Sequence, residues 1–404
     1  MTEKLFYEDS HMVTFSATVV SCEQSGEVYE VVLDRTAFFP EGGGQYADTG
    51  RLDDAKVTDV QEKAGIIYHK TNQSLEIGKT VQGTIDWEER FSKMQQHSGE
   101  HIVSGIVHAV YGYDNVGFHM GKDAITMDFN GSISKEELKV IERKANEAVV
   151  KSLDIKVLYP AKEELDSIAY RSKIEIEGQV RIVEIPGYDV CACCAPHVKK
   201  TGEIGLIKLL NVQNYKGGVR ISMLCGFRAL QDYEQKAESV KKISVLLSAP
   251  EEEVFSEVTR LKQEISSGKA KVSQLQQKLL VYKVEQIPQS QEVVVWFEEE
   301  LEGNAPRELT NLIIENGASI GAVFAGDEKD GYRYVIGSKS CDTRIFSKRL
   351  NEKFGGRGGG KPEMVQGSLA GREEEIRKEV ELCSKDQVSS DFYFIREQAE
   401  MQCR

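Results

Sequence analysis

No stretch of eighteen apolar residues occurs in the 404-residue chain, so a membrane-spanning helix is not expected. The opening segment, MTEKLFYEDSHMVTF, carries acids early and has no apolar core followed by a small-residue cleavage site. A secretory signal is therefore not expected, and the cytoplasm is the expected compartment. Basic residues are in short supply: 51 Lys and Arg stand against 65 Asp and Glu, a net charge of −14. Taken alone, that balance argues against a polyanionic partner. The glycine run Gly42–Gly44 lacks the Lys-Ser/Thr that would make it a P-loop. Without an export signal, the eight cysteines do not read as a disulfide framework. Three of them crowd into Cys191-Ala192-Cys193-Cys194, too close to pair with one another, and metal binding accounts for such a cluster better.

Two short clusters carry that chemistry. His97 and His101 stand in QQHSGEHIVSG, and Cys193 and His197 in VCACCAPHVKKTGEIG, each pair spaced i, i+4. Zinc takes imidazole nitrogen and thiolate sulfur in a four-membered shell, and two such pairs supply four ligands. Cys191 or Cys194 could take the place of Cys193 on spacing alone. His97-Ser98-Gly99-Glu100-His101 also fits the inverted zinc-peptidase pattern H-x-x-E-H, with Glu177 as a distant third ligand. That reading leaves Cys-Cys-Ala-Pro-His and both glycine-rich segments without a role. The chain's charge is also uneven. From Gly337 to Arg372 eight basic residues face three acidic ones, a local net of +5. A basic surface of this kind suits a sugar–phosphate backbone, whatever the total charge.

The pattern predicts an α+β multidomain chain. Residues 1–86 read as short strands rich in Val, Thr and aromatics, a small barrel or sandwich. Asp86-x-x-Glu89 is a capping signature opening a long helix. On it Phe91, Ile102, Ile106 and Val110 make one apolar stripe, with His97, His101 and His108 about 40° apart or less beside it. A second helix, Ser134 to Leu153, and strands such as QVRIVEIPG fill an α/β block over 87–232. In the helical spacer 233–287, Ser248-x-x-Glu251 with Pro250 is expected to start a helix. There Val254, Val258, Leu261, Ile265, Val272, Leu275, Leu279 and Tyr282 form a heptad seam, weakened at Gly268. The seam fits either a hairpin packed within the chain or a coiled-coil dimer. Residues 288–404 return to a βαβ pattern, closing on GGRGGGKPEMVQG, expected as an exposed glycine-rich segment beside Lys348, Arg349, Lys353, Arg357 and Lys361.

Together, TAFFPEGGGQYADTG, HSGEH, VGFHMG, CCAPHVKKTGEIG and GGRGGGKPEMVQG closely resemble the long form of the alanyl-tRNA editing proteins, the AlaX family, and the matching parts of alanyl-tRNA synthetase. The resemblance implies a hydrolase that removes serine, and glycine, from tRNA specific for alanine. It implies Zn2+ on His97, His101, Cys193 and His197, with Thr36 near the amino-acid hydroxyl. Gly42, Gly43, Gly44 and His119 would wall the substrate pocket, and Gln45 and Glu100 are further candidate catalytic groups. The last domain would be a DHH-associated type that binds tRNA through the five basic residues named above and supports a homodimer. The family's Cys-Gly-Gly-Thr-His stands here as Cys193-Cys194-Ala195-Pro196-His197, which keeps the ligand spacing. Three other classes compete. A non-catalytic tRNA-binding protein with structural zinc fits four filled ligands. A ligase would need an aminoacylation domain, for which there is no room before the barrel. A DHH-type phosphoesterase would need an Asp-His-His tripeptide, which does not occur.

Overall fold

The structure is a computed structural model describing residues 1–121, 123–165, 167–172 and 179–402, with side chains through residue 387. Glu177 lies outside the described residues. The chain divides into two compact units, Met1–Glu251 and Glu252–Arg404.

In the first unit, six strands pair in a closed antiparallel ring: Thr14–Ser25, Val28–Leu33, Ile66–Thr71, Ala55–Lys63, Gly50–Leu52 and Thr80–Ile85, which returns to the first. Alternation drives it. In Thr80–Ile85 every second residue is buried, so Val81 and Ile85 join Val31, Leu33, Phe38, Leu52, Val57, Val60 and Ile67 in one interior.

Helix Trp87–Tyr111 leaves this ring, its first turn capped by Asp86 and its end closed by Gly112 in a left-handed conformation. From Lys93 to Val107 every residue is buried, which only an element enclosed on all sides allows. Around it lie a four-stranded sheet (order Ile207–Tyr215, Gly218–Cys225, Ile125–Phe129, Asn115–Met120), a three-stranded sheet (Lys156–Leu158, Ile182–Ile185, Asp189–Ala192) and helix Lys135–Lys151. A full capping box between Ser134 and Glu137 opens that last helix. At Gly105 an added Cβ would sit 2.2 Å from the Tyr188 carbonyl oxygen, so glycine is what lets the strand carrying Asp189 approach the helix.

One expected start is corrected. Ser248 does not open a helix; it ends helix Gly226–Leu247 in a left-handed cap, and the next helix begins at Val254 after a short 3-10 turn. Pro250 fits a helix start in isolation, but the cap comes first.

In the second unit, helix Val254–Glu285 carries the heptad residues exposed: Ile265 at 60 %, Leu275 at 56 % and Leu279 at 52 %. A five-stranded sheet follows in the order Val293–Glu298, Ile320–Asp327, Gly331–Ser338, Met364–Leu369, Arg357–Lys361. Its first pair is parallel and bridged by helix Ala305–Glu315, the βαβ unit that the alternation predicts; the other pairs are antiparallel. Helices Arg344–Phe354 and Glu373–Gln402 complete the unit. The exposed glycine-rich run carries the edge strand Arg357–Lys361. Among the described residues no helix is long and apolar enough to cross a membrane.

Candidate metal centre

The long helix builds half of the site. Arg90, Lys93 and His97, at i, i+3 and i+7, share one face and reach the segment Ala37–Asp48. Arg90 and Asp48 form a fully buried ion pair, and the guanidinium also donates to the Ala37 carbonyl at 2.6 Å. Lys93 Nζ donates to the Ala47 carbonyl at 2.7 Å, and Gln45 Oε1 lies 3.1 Å from His97 Nδ1. The glycine run is thereby pinned against the helix. Gly44 takes φ +80° and an added Cβ would come 2.7 Å from the Phe118 ring, so a side chain is excluded twice.

The other half follows strand Asp189–Ala192. Arg181 Nη1 donates to the carbonyls of Cys193 (2.7 Å) and Ala195 (3.1 Å), holding the turn that presents Cys193 and His197. The ligand atoms of His97, His101, Cys193 and His197 all fall within 4.8 Å of one another. Cys193 Sγ lies 3.5 Å from His97 Nε2 and 3.4 Å from His197 Nε2.

Each histidine is held from behind. His101 Nδ1 donates to Asp189 Oδ2 at 2.8 Å, His197 Nδ1 lies 3.0 Å from Ser98 Oγ, and His97 Nδ1 meets Gln45. Engaging all three Nδ1 atoms leaves three Nε2 atoms facing one sulfur, the arrangement that orients imidazole ligands on a metal. Asp189 is fixed in turn by Arg171, whose Nε and Nη2 donate at 2.8 and 2.9 Å. The electrostatics agree. Burial pushes the Cys193 thiol up, but the charge of His97 and the hydrogen bond with His101 outweigh it and hold the thiol well below its usual range. Burial, helped by the charges of His101 and His97 and opposed by Cys193, pulls His197 down to about 3, so it stays neutral with a lone pair to give. Burial works the same way on His101, but the Asp189 carboxylate, together with Cys193, overcomes it and raises that imidazole well above the ordinary value. The cluster could hold a metal ion through three nitrogens and one thiolate.

The remaining candidates divide. Cys194 points to the glycine run, where a Cβ on Gly43 would lie 3.1 Å from its sulfur. Cys191 groups with His101 and Asp189 instead. Gly42, Gly43, Gly44 and Gln45 therefore border the cluster, and Gln45 Nε2 is a buried donor without a partner among the described residues. Glu100 is buried beside His101: its Oε1 accepts from Ser104 Oγ (2.7 Å) and Asn115 Nδ2 (2.5 Å), and its Oε2 lies 3.9 Å from His101 Nε2, on the side of the cluster. Thr36 is fully buried in the barrel wall and makes its contacts there. Its hydroxyl lies 2.8 Å from His69 Nε2 and accepts from Phe38 N at 3.1 Å. His119 is exposed, on the strand face opposite Phe118, whose ring packs 5.0 Å from that of His97. Sequence reasoning missed Phe118, Asp189, Arg171 and Ser98. Only Asp189 left a signal, in the alternating run Asp189-Val-Cys191-Ala-Cys193.

A family model described as the threonyl and alanyl tRNA synthetase second additional domain matches residues 180–222, which include Cys193 and His197. Another, described as tRNA synthetases class II (A), matches residues 2–89. The alanyl-tRNA editing protein AlaX-L of Pyrococcus horikoshii is 28 % identical over 397 residues, covering 93 % of this chain and 96 % of that protein. The alanine–tRNA ligase of Pyrococcus furiosus is 33 % identical over 390 residues, and that of Natronomonas pharaonis 31 % over 391. In both cases the alignment covers 91 % of this chain and 42 % of the ligase, so the chain spans less than half the length of these relatives. Similar over nearly its whole length to an editing protein and to one part of the ligases, the chain is a relative of the long-form, AlaX-type alanyl-tRNA editing proteins.

Proposed function

We propose that the chain is a trans-editing hydrolase that deacylates seryl-tRNA specific for alanine, with glycyl-tRNA as a second substrate. The observation that carries this reading is the unpartnered Gln45 amide beside a three-nitrogen, one-sulfur cluster. A buried donor left unpaired costs about 1–3 kcal/mol unless a ligand meets it. The donor set and the engaged Nδ1 atoms fit Zn2+ on His97, His101, Cys193 and His197. When bound there, zinc supplies a fixed positive charge for the polar end of the substrate. Four protein ligands favour that positioning role over generation of a nucleophile.

The chain's own residues do the rest. An aminoacyl ester is activated, so water adds to the carbonyl carbon once the developing oxyanion is met by a donor. Gln45 Nε2 is that donor, and collapse then expels the ribose oxygen, which takes up the proton lost by the water, releasing amino acid and tRNA. Phe118 and Gly42–Gly44 pack beside the cluster, where they border the substrate in this reading. Glu100 holds Ser104 and Asn115 through Oε1, while its Oε2, 3.9 Å from His101 Nε2, is placed on the cluster side to take the proton from water. Thr36 reads the serine hydroxyl. His69 donates from Nδ1 to the Val31 carbonyl, so its Nε2 takes the Thr36 proton, and with Phe38 N on one lone pair Thr36 offers only the other. It therefore accepts from serine and finds nothing on alanine, an asymmetry that a merely apolar pocket cannot produce.

The barrel (1–86) and zinc block (87–232) form the editing part, with 233–287 as spacer and 288–404 as the tRNA-binding, dimer-supporting part. In that last part Lys348, Arg357 and Lys361 are exposed, whereas Arg349 and Lys353 are both bound to Glu379, and Arg349 also to Asp386. Contact with tRNA is thus assigned to the first three. Four filled ligands also favour a second reading, a non-catalytic tRNA-binding protein with structural zinc. Deacylation of seryl- and alanyl-tRNA by the wild type and by Cys193→Ala separates the two. Serine release that Cys193→Ala abolishes supports the hydrolase; no hydrolysis of either substrate by the wild type removes it.

A further inference from the structure

One guanidinium holds the turn that carries two of the candidate ligands. Arg181, just before strand Ile182–Ile185, sends a single nitrogen, Nη1, to the carbonyls of both Cys193 and Ala195. Its Nε is buried and has no partner among the described residues. Two bonds made by one nitrogen place that atom but do not set the tilt of the guanidinium plane. Unless a neighbour sets it, the carbonyls on either side of Cys194 are held loosely.

The Tyr7 ring is in position to be that neighbour. The Arg181 guanidinium carbon stands 5.1 Å from the ring centroid, within the range of a cation–π contact. Tyr7 lies on the short helix Leu5–Glu8. The strand just before it, Glu3–Lys4, pairs in parallel with Arg35–Thr36 and so runs beside Thr36. The ring is itself anchored to the barrel. It meets Phe6 edge-on at 4.6 Å, and Phe6, 1 % exposed, meets Phe39 at 5.4 Å in the barrel core. Lys4 Nζ lies 5.7 Å from the same ring and is tied to Glu62 at 2.7 Å. Across the contact, Ala195 is fully buried within that core and Cys193 packs against it. The turn is therefore docked on the barrel where Tyr7 meets Arg181. The Tyr7 hydroxyl makes no hydrogen bond among the described residues, so the ring face is what this side chain offers.

We propose that Tyr7 is a positioning residue for the metal centre, its ring setting the plane of Arg181 and Arg181 setting the turn that presents Cys193 and His197. An aliphatic side chain fills much of the same space but has no negative face to hold a cation. One N-terminal segment then fixes Thr36 and the ligand turn in a common frame, so the two keep their separation. The role rests on the metal reading of the cluster and not on the identity of the substrate.

The test uses the full chain. Zn2+ affinity is read by competition with a chromophoric chelator, and Co2+ loading gives a thiolate-to-metal absorption that reports the geometry at Cys193. The variants are Tyr7→Leu, Tyr7→Phe, Arg181→Gln and the double Tyr7→Leu/Arg181→Gln, each followed by urea unfolding of the metal-free chain. Tyr7→Met replaces Tyr7→Leu if that chain does not fold. Tyr7→Leu is expected to weaken zinc binding about tenfold, the lower end for a partner acting on a ligand from behind, and to shift the cobalt band. Tyr7→Phe keeps the ring and should stay within about twofold of wild type. In the Arg181→Gln background Tyr7→Leu should add less than about twofold, because the route is already cut. Wild-type zinc affinity and cobalt absorption in Tyr7→Leu, whatever its stability, overturn the proposal, and so does full additivity in the double variant. A loss in Tyr7→Phe equal to that in Tyr7→Leu overturns the ring contact. A wild type that binds neither metal removes the metal centre and this role with it. A wild type that binds zinc in this way but releases no serine from seryl-tRNA removes the editing function and leaves the role of Tyr7 standing.

Discussion

Replacing Asp189 by Asn removes one oxygen's charge and almost no volume, so its consequences isolate the carboxylate behind His101. In the native site Oδ2 accepts from His101 Nδ1 at 2.8 Å and from Arg171 Nη2 at 2.9 Å, while Oδ1 accepts from Arg171 Nε at 2.8 Å. An Asn oxygen can serve only one side. If it serves Arg171, the amide nitrogen faces His101 Nδ1 and two donors meet. The imidazole then escapes by moving its proton to Nε2, the atom that faces Cys193, and a protonated nitrogen is no ligand. Losing one charge-assisted hydrogen bond costs about 1.5–3 kcal/mol, matching the roughly 10–100-fold fall in metal affinity seen when such outer partners are changed. Stability should fall as well, since Arg171 loses a buried counter-charge; its side chain is 14 % exposed, which places the loss near the lower end of about 3–5 kcal/mol. Zinc affinity is read by competition with a chromophoric chelator, and stability by urea unfolding of the metal-free chain. Asp59→Asn, which breaks a half-exposed pair with Lys70, is the control and should cost at most about 1 kcal/mol. Zinc binding by Asp189→Asn within twofold of wild type would refute the outer-partner reasoning.

Three further outcomes follow from the same geometry. Thr36→Val should lower the preference for seryl- over alanyl-tRNA by the worth of one hydrogen bond, about 1–3 kcal/mol, in single-turnover deacylation; unchanged discrimination removes Thr36 from the specificity role. Burial holds the His69 imidazole neutral down to about 4, whereas the unfolded chain takes a proton near 6.5, so the unfolded state binds more protons between those values. His69 therefore contributes its full stability above pH 6.5 and loses about 3 kcal/mol of it as pH falls to 4. His69→Gln should lack that part of the slope, and parallel unfolding curves for the two chains from pH 7 to 4 would contradict it. Finally, the exposed seam on helix Val254–Glu285 is proposed to pair with a second copy. Ile265→Lys with Leu275→Lys should then raise the dimer dissociation constant about a hundredfold or more in sedimentation, since each buried apolar side chain is worth about 1.5–3 kcal/mol. A wild type that sediments as a monomer at micromolar concentration sinks this assignment.

How much was legible depended on whether a residue's partner lay within one helical turn. His97 with His101, and Cys193 with His197, announce themselves by i, i+4 spacing, because one helix or one tight turn fixes their common direction. Alternation likewise shows strands such as Thr80–Ile85, whose two faces differ. Spacing could not choose among Cys191, Cys193 and Cys194. That choice is made by Arg181, which holds the carbonyls on either side of the turn. Nor could spacing supply Asp189, whose role depends on a strand 88 residues beyond His101 approaching the helix at Gly105. Composition assigns the glycine-rich run no element. It is a strand because Met364–Leu369 offers it a ladder, and a ladder is a property of the partner.

Charge shows the same limit in its sharpest form. The local excess of +5 between Gly337 and Arg372 is correct as a count and misleading as a map. Two of its members, Arg349 and Lys353, are taken up by Glu379, an acid on helix Glu373–Gln402, just beyond the window counted. Arg307, outside that window on the other side, makes no ion pair among the described residues and lines the same cavity as the glycine strand. A basic surface is what remains after such pairings, and it is drawn by the sheet that gathers distant segments. The residues to test for tRNA contact are therefore those of the five candidate cations that are exposed and that no acid takes up among the described residues, Lys348, Arg357 and Lys361, and not every Lys and Arg of the cluster.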